Sequence, residues 1–331
     1  MHCPAEWLVQ MKDGQPLEEL LQTDGPLRGF ESQRLRSYFT SHGLVPVRDL
    51  DLYGMAVFSG NRIDVKTDFE NRLARFRASA RSEEEARKAA AHEIYELSWG
   101  PTRVPVYDLI FLAILVTPEQ RQGLLDVARY LIAEAKVPVD GADLSGAQAI
   151  YHCVSTKPVF DPELAQILYD AGGDVNARNR YGGTSAHEIV LVYDLHNRET
   201  MQRSADALKW FLDHGGNLDI KDNDGATARS CIVSMREKMR TARRSLRLPM
   251  WDVLDREDQR RARLAESICS FCGRDDAKLL KCSQCMKARY CTPPRTCQKS
   301  DWPKHKTPCK AASRTQAQPA TQATYLGVPL F

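Results

Sequence analysis

The sequence predicts a mostly α-helical chain, a stack of helical repeats followed by a small cysteine-rich module and a polar tail. Two observations carry this reading. Three segments align around a glycine, Asp143-Leu-Ser-Gly146, Asn179-Arg-Tyr-Gly182 and Asp222-Asn-Asp-Gly225, with spacings of 36 and 43 residues. Self-similarity at such a period marks units that stack because one alone cannot cover its apolar face. The second observation is the stretch from Cys269 to Cys309, which holds seven of the ten cysteines.

Length and composition bound the answer. At 331 residues the chain has room for one large or two to three small domains, and 43% hydrophobic with 27% charged residues is ordinary for a globular protein. The longest apolar run, Leu109 to Val116, is far short of the roughly 18 residues a membrane span needs. No apolar signal segment follows Met1, so the expected location is intracellular, cytoplasmic and/or nuclear. The net charge of +3 decides little, but its distribution matters.

Residues 1–101 read as a helical N-terminal region. Apolar clusters (Trp7, Leu8, Met11; Leu17, Leu20, Leu21; Leu35, Tyr38, Phe39) step by three and four, as amphipathic helices do. Residues 68–97 read as a long helical stretch, with Asp68 as a cap and Ser82 starting a second segment after a break. His92-Glu93 lacks the second histidine of a metalloprotease helix, and it reads as helix surface, as does His187-Glu188. Asp51-Leu-Tyr-Gly54 is a candidate for an early, disrupted repeat.

Residues 102–235 hold the repeats. Each aligned glycine follows an Asp or Asn by three residues and precedes a small-residue helix start. The blocks Ala171-Gly-Gly-Asp-Val-Asn176 and His214-Gly-Gly-Asn-Leu-Asp219 stand before the second and third. The physical reading is two helices, the second ending on a left-handed glycine, then a turn in which Asp or Asn bonds its own backbone. The second helices fall at 162–171 and 205–214, with Leu164, Ile167, Leu168 and Leu208, Phe211, Leu212 facing the stack. An earlier unit runs from Thr102 through Leu109–Ala113 to Val127–Ile132 and Val139-Asp140. The insert from Tyr193 to Ser204 is expected to bulge between two helices. The pattern resembles ankyrin repeats, whose first helix opens with Thr-Pro-Leu-His; Thr184 and His187 match two of those positions, and Thr227 one.

Residues 236–268 read as basic capping or linker helices. Ile232, Met235, Met239, Ala242 and Leu246 form one apolar stripe ended by Pro249, opposite a face of Arg236, Lys238, Arg240, Arg243, Arg244 and Arg247. In the next helix Asp252, Asp255, Glu257 and Asp258 precede Arg260, Arg261 and Arg263, the order the helix dipole favours. Residues 310–331, Gln/Thr/Ala-rich from Ala311, are expected to form a disordered tail. The tail ends on the apolar run Tyr325–Phe331, a candidate to dock on the module or the repeats.

The cysteine-rich module, 269–309, has the clearest chemistry. Cys269/Cys272 and Cys282/Cys285 are C-x-x-C pairs, each able to present two thiolates to one ion from a tight turn, and Cys291, Cys297, His305 and Cys309 follow. Eight such ligands make two tetrahedral Zn²⁺ sets. A disulfide-rich secreted module is the competing reading; the scattered remaining cysteines and the placement of His305 favour zinc. With four protein ligands each, the ions would be structural, leaving no open position for catalysis.

The segment resembles the MYND-type zinc finger in its C-x-x-C pairs, Tyr290-Cys291, Cys297-Gln298, Trp302, His305-Lys306 and Cys309. The resemblance implies a cross-brace. Cys269, Cys272, Cys291 and Cys297 would hold one zinc, and Cys282, Cys285, His305 and Cys309 the other. Five residues, Thr292–Thr296, stand where the family has three, so the first zinc loop is longer and stiffer. It also implies a shallow groove for proline-rich peptides at Ser283, Gln298 and Trp302.

The expected function is that of a non-enzymatic protein–protein interaction adaptor, binding protein or proline-rich peptide partners through the repeats and the finger. There is no phosphate-binding glycine loop, no G-x-S-x-G and no H-E-x-x-H. Two alternatives stay open. One is a nuclear transcriptional co-regulator touching nucleic acid through the basic helix. The other is a methyltransferase, since some MYND proteins carry a SET domain, although that domain's Asn-His-Ser-Cys-type segment has no counterpart here.

Overall fold

The structure, a computed structural model, describes residues 14–156, 159–191, 194, 197–241, 247–292 and 296–316, with side chains omitted for 296 and 313–316. The chain divides into two compact bodies, residues 1–254 and 255–331. Among the described residues, no helix is long and apolar enough to cross a membrane.

The first body opens with helices α1 (Leu17–Leu20), α2 (Gly29–Ser41), α3 (Pro46–Asp49), α4 (Leu52–Phe58), α5 (Arg62–Arg77) and α6 (Glu83–Tyr95). The expected long stretch at 68–97 is two helices. Asn61, not Asp68, caps α5, accepting from Asp64 N, while Asp68 sits inside the helix and pairs with Arg72. Ser82 caps α6 as expected, accepting from Glu85 N. Helix α5 buries Val65, Phe69 and Leu73 at steps of four, and α6 meets that core with Ala86, Ala90, Ala91 and Ile94. Asp51-Leu-Tyr-Gly54 is not a repeat turn. Asp51 caps α4 by accepting from Gly54 N, and Gly54 lies within the helix. His92-Glu93 is helix surface, with His92 near Glu96 (3.4 Å) and Glu93 paired to Arg72 and Arg75.

A two-residue hairpin, β1 (Ser98–Trp99) against β2 (Val104–Pro105), leads into the repeats. Their helix pairs are α7 (Val106–Val116) with α8 (Arg121–Tyr130), α9 (Ala149–Val154) with α10 (Pro162–Asp170), and α11 (Ser185–Ile189) with α12 (Arg198–Asp213). Part of the expected bulge at 193–204 is therefore helix, started by Asn197, which accepts from Thr200 N; Thr200 and Ser204 are buried. Residues 192, 193, 195 and 196 of that insert lie outside the described residues.

The three aligned turns are built alike. Asp143 Oδ1 accepts from Ser145 N and Ala147 N, Asn179 Oδ1 from Tyr181 N and Gly183 N, and Asp222 Oδ1 from Asp224 N and Ala226 N. Gly146, Gly182 and Gly225 have φ of +75°, +78° and +90°, the left-handed region that a side chain resists. Successive turns are laced together by Leu144 N to Thr102 O (2.9 Å), Arg180 N to Ser145 O (2.8 Å) and Asn223 N to Tyr181 O (2.9 Å). This repeated helix–helix–turn unit is ankyrin-like. His187, expected as surface, belongs to the stack. Its Nδ1 accepts from Thr184 N (3.1 Å), and its Nε2 donates to Ala226 O of the next turn (3.4 Å). Leu164, Leu168, Leu208, Phe211 and Leu212 are buried as expected, and Ile167 partly.

Residues 15–41 lie across the turn tips. Arg180 donates to the carbonyls of Leu20, Gly25 and Leu144, each at 3.0 Å, and Leu27 N donates to Arg180 O (2.7 Å). Asn223 donates to Leu27 O, Arg36 pairs with Glu188 at 3.1 Å, and its guanidinium lies 4.0 Å over the Tyr181 ring. Leu20, Leu27 and Leu35 form a small core with Leu144 and Tyr181.

The stack continues into α13 (Ala228–Thr241) and the start of α14 (Pro249–Arg263), whose Met250, Trp251, Val253 and Leu254 join the repeat core together with Leu248. Three residues of the basic face are engaged. Arg236 packs over Trp251 (5.4 Å) and donates to its carbonyl, Arg240 pairs with Glu237, and Arg247 with Asp252. Arg243 and Arg244 lie outside the described residues.

Candidate metal centre

In the second body, after the end of α14, the described residues form short turns, a hairpin and a further helix. Strand β3 (Leu279–Lys281) pairs antiparallel with β4 (Arg289–Cys291), in the register Leu279↔Cys291, Leu280↔Tyr290 and Lys281↔Arg289. Helix α15 (Thr296–Gln316) follows, passing through Pro303 and Pro308. It carries on past Cys309 to Gln316, so residues 310–316 are helical where tail was expected; the Tyr325–Phe331 run lies outside the described residues.

Each C-x-x-C pair sits in a tight turn. In the first, Gly273 N donates to Cys269 O (2.9 Å) and Cys269 N to Arg274 O (2.8 Å); in the second, Met286 N donates to Cys282 O (2.9 Å) and Cys282 N to Ala288 O (2.8 Å). The residue after each pair is left-handed, Gly273 at φ +75° and Met286 at +56°. Cys282 directly follows β3 and Cys291 ends β4, and the hairpin places those two thiols in different groups. Helix α15 does the same with Cys297 near one end and His305 and Cys309, four residues apart on one face, further on.

The outcome is two clusters whose ligand atoms lie within 4.8 Å of one another, Cys269, Cys272, Cys291 and Cys297 in one, Cys282, Cys285, His305 and Cys309 in the other. Within them Cys272 Sγ is 3.5 Å from Cys291 Sγ, Cys282 Sγ 3.7 Å from Cys309 Sγ, and Cys285 Sγ 3.5 Å from His305 Nε2. Zinc–sulfur bonds of about 2.3 Å in a tetrahedron put sulfurs about 3.7 Å apart, so the separations suit a central ion. The two sets, one of four cysteines and one of three cysteines and a histidine, fit two structural zinc ions.

The electrostatics agree. Four clustered thiols cannot all ionise without a cation, so the protons divide unevenly. The thiols of Cys272 and Cys297 donate to Cys269 and hold it well below the ordinary thiol range, and Cys297 is pushed far up in return. Burial, then the charge of Cys272 and Cys269, pushes Cys291 up to about 12. Burial also opposes ionisation of Cys285, but the backbone N–H groups of Ala288 and Lys287, with the neighbouring thiols, bring it down to about 6. A divalent cation replaces those shared protons and allows every ligand to bind as thiolate.

The sequence profile of the MYND finger matches residues 269–309, from the first to the last of these cysteines. Residues 269–309 are a MYND finger. Curated relatives resemble the chain over short stretches. These are human "Histone-lysine N-methyltransferase SMYD3" (37% identical over 65 residues), Caenorhabditis elegans "SET domain-containing protein 14" (46% over 46) and human "Histone-lysine N-methyltransferase SMYD1" (43% over 51). The stretches cover 19%, 14% and 15% of this chain and only 15%, 10% and 10% of those proteins. Among solved structures, the ankyrin repeat domain of Bcl-3 aligns with 56% of this chain and 98% of that one, at 14% identity and a TM-score of 0.21.

Around the finger, Tyr290 donates to Asp301 (2.6 Å) and its ring stands edge-to-face with that of His305, centroids 5.9 Å apart, which supports the second cluster. Trp302 is 39% exposed, with its ring 6.1 Å from that of His305, so its indole is not consumed by the metal core. Gln298 stands four residues before it on α15, and Ser283 is exposed in the second cysteine turn.

Sequence reasoning missed the arginines at the end of α14. Glu257, buried, pairs with both Arg260 and Arg261, and these donate onward to the first cysteine turn, Arg260 to Gly273 O (2.7 Å) and Arg261 to Cys272 O (3.2 Å). The dipole rule accounts for where these charges stand in the helix, but no local signal says what they touch.

Proposed function

We propose that the chain is a non-enzymatic adaptor whose MYND finger presents a peptide-binding face around Trp302. Cys269, Cys272, Cys291 and Cys297 would hold one zinc and Cys282, Cys285, His305 and Cys309 the other. Both ions use all their positions on protein ligands, so they stiffen the finger and do no chemistry. The carrying observation is the exposed indole of Trp302. An aromatic held at the surface of a rigid domain suits an extended proline-rich strand, because that ligand is already ordered and loses little entropy on docking.

The repeats would contribute a second surface. Turn tips are a frequent binding face of repeat stacks, and here residues 15–41 cover them at Arg180, Tyr181 and Asn223. A partner of the stack would bind its other faces or displace that segment. The short matches to the SMYD proteins concern little of either chain, so the methyltransferase reading gains nothing beyond the finger. The nucleic-acid reading is weakened by the pairing of Arg240 and Arg247 and the packing of Arg236.

The test is titration of a proline-rich peptide against the full chain and its Trp302→Ala variant, with bound zinc measured in both. An anchoring aromatic is worth about 2 kcal/mol or more, so affinity should fall at least roughly tenfold at unchanged zinc content. Equal affinity for wild type and variant would remove the peptide face. A gel shift with random DNA that weakens steeply with salt would favour the co-regulator reading instead.

A further inference from the structure

A third group of ligating side chains lies in the repeats, far from the finger in sequence. Asp108 on α7, Asp143 in the first aligned turn and His152 on α9 bring a carboxylate oxygen each and a ring nitrogen within 4.8 Å of one another. Asp108 and His152 hold comparable places in successive repeats, each four residues or fewer into the first helix of its pair. Stacking therefore brings them together although 44 residues separate them in the sequence.

We propose that Asp108, Asp143 and His152 bind a divalent metal ion, with Zn²⁺ as the best-suited occupant. Three features support it. Asp108 is only 4% exposed, and neither of its carboxyl oxygens has a hydrogen-bond partner among the described residues, an arrangement that leaves a buried polar group unsatisfied unless a ligand fills the space. Asp143 is oriented by its turn. Its Oδ1 accepts from Ser145 N, Ser145 Oγ and Ala147 N, which leaves Oδ2 aimed at His152 Nε2, 3.0 Å away. Outer hydrogen bonds that fix a carboxylate in this way are the usual support of a ligand.

The third feature is charge. Burial opposes ionisation of Asp108, so without a cation its carboxyl keeps a proton, whereas a divalent cation beside a neutral ring would replace that proton and balance two carboxylates. One nitrogen and two oxygen donors suit Zn²⁺ and Mn²⁺ and exclude the soft, thiolate-seeking ions. The His152 side chain is 29% exposed, which gives the ion a way in from solvent. Three protein ligands also leave room for water on the metal, unlike either finger set. Bound there, the ion would tie the first described repeat to the second. A proton shared among the three groups is the competing occupant.

Full-length protein is reconstituted with excess Zn²⁺, passed through desalting, and its zinc counted by mass spectrometry beside a melting curve of the helical signal. The expected result is three zinc ions per chain, with the third lost in both Asp108→Asn and His152→Gln while the finger pair is retained. Added Zn²⁺ should raise the melting temperature of the wild-type repeats and leave that of Asp108→Asn unchanged. Two zincs in the wild type, at every Zn²⁺ concentration tried, would overturn the proposal whether or not the variants fold. So would a third ion that survives Asp108→Asn, since that ion would be held elsewhere.

Discussion

Arg261 donates from Nη2 to the carbonyl oxygen of Cys272 at 3.2 Å while its Nε pairs with buried Glu257 at 2.5 Å. A glutamate ahead of the finger thus orients the arginines that hold the backbone of the first zinc turn. Burial opposes the Glu257 charge, but hydrogen bonds from Arg260 and Arg261 outweigh it and hold its carboxyl below the usual glutamate range. Its contribution is present above the unfolded value of about 4.3 and is lost as pH falls through the lower folded one. Glu257→Gln should weaken the finger by about 2 kcal/mol at pH 7 and remove that acid-side dependence, read as faster zinc loss to a chelator. Equal rates of zinc loss from the two proteins at pH 7 would contradict this.

The two cysteine turns differ in the residue that follows the second cysteine. Gly273 is left-handed and has Arg261 Nη2 at 2.5 Å from where a Cβ would stand, whereas Met286 takes the same backbone form, with its side chain exposed. A left-handed non-glycine residue costs about 1 kcal/mol. Met286→Gly should therefore leave the finger as stable or up to about 1 kcal/mol more so, and Gly273→Ala should destabilise it. Chelator-challenge curves that rank the two the other way would show the turns are not equivalent.

Zinc removal should separate the two bodies. Cys309→Ser or His305→Ala should cost the finger one zinc, and a chelator should unfold residues 269–309 while the repeats keep their helical signal. Because each thiol bound as thiolate releases a proton, affinity should fall as pH is lowered, by about tenfold per pH unit for each proton released. A pH-independent zinc affinity between pH 5 and 8 would mean the ligands enter already ionised.

His187 joins its own helix start to the next turn. His187→Ala leaves Thr184 N without its acceptor and removes the 3.4 Å bond to Ala226 O, and should cost about 1–2 kcal/mol in a thermal or urea melt. A melting point within error of wild type would assign the bridge to packing alone.

Truncation locates the end of the stack. Leu248, Met250, Trp251, Val253 and Leu254 share the repeat core, and the first body ends at Leu254. A chain stopped after Leu254 should melt as the repeats do in the full protein, and one stopped after Thr241 at least about 2 kcal/mol lower, as end repeats need a cap. Coincident melts of the two truncations would show that the cap is α13 alone.

What the sequence by itself determined is the chemistry that acts over a few residues. Asp or Asn three positions before a left-handed glycine makes the same turn at Asp143, Asn179 and Asp222, and C-x-x-C needs only a local turn to aim two sulfurs together. The two zinc sets were legible because their ligand order is that of the MYND pattern. The reading failed where one residue type serves two environments. Asp51 before Gly54 looked like a repeat turn and is a helix cap, since the same side-chain bond starts both. Only the tertiary structure decided which charges are paired and buried. Arg180 under residues 15–41, Arg261 on Cys272, and Asp108 facing Asp143 and His152 look like solvated residues in the chain, because a charge carries no local mark of its partner. Those partners lie from 11 to 160 residues away, and folding alone brings them within a few ångströms.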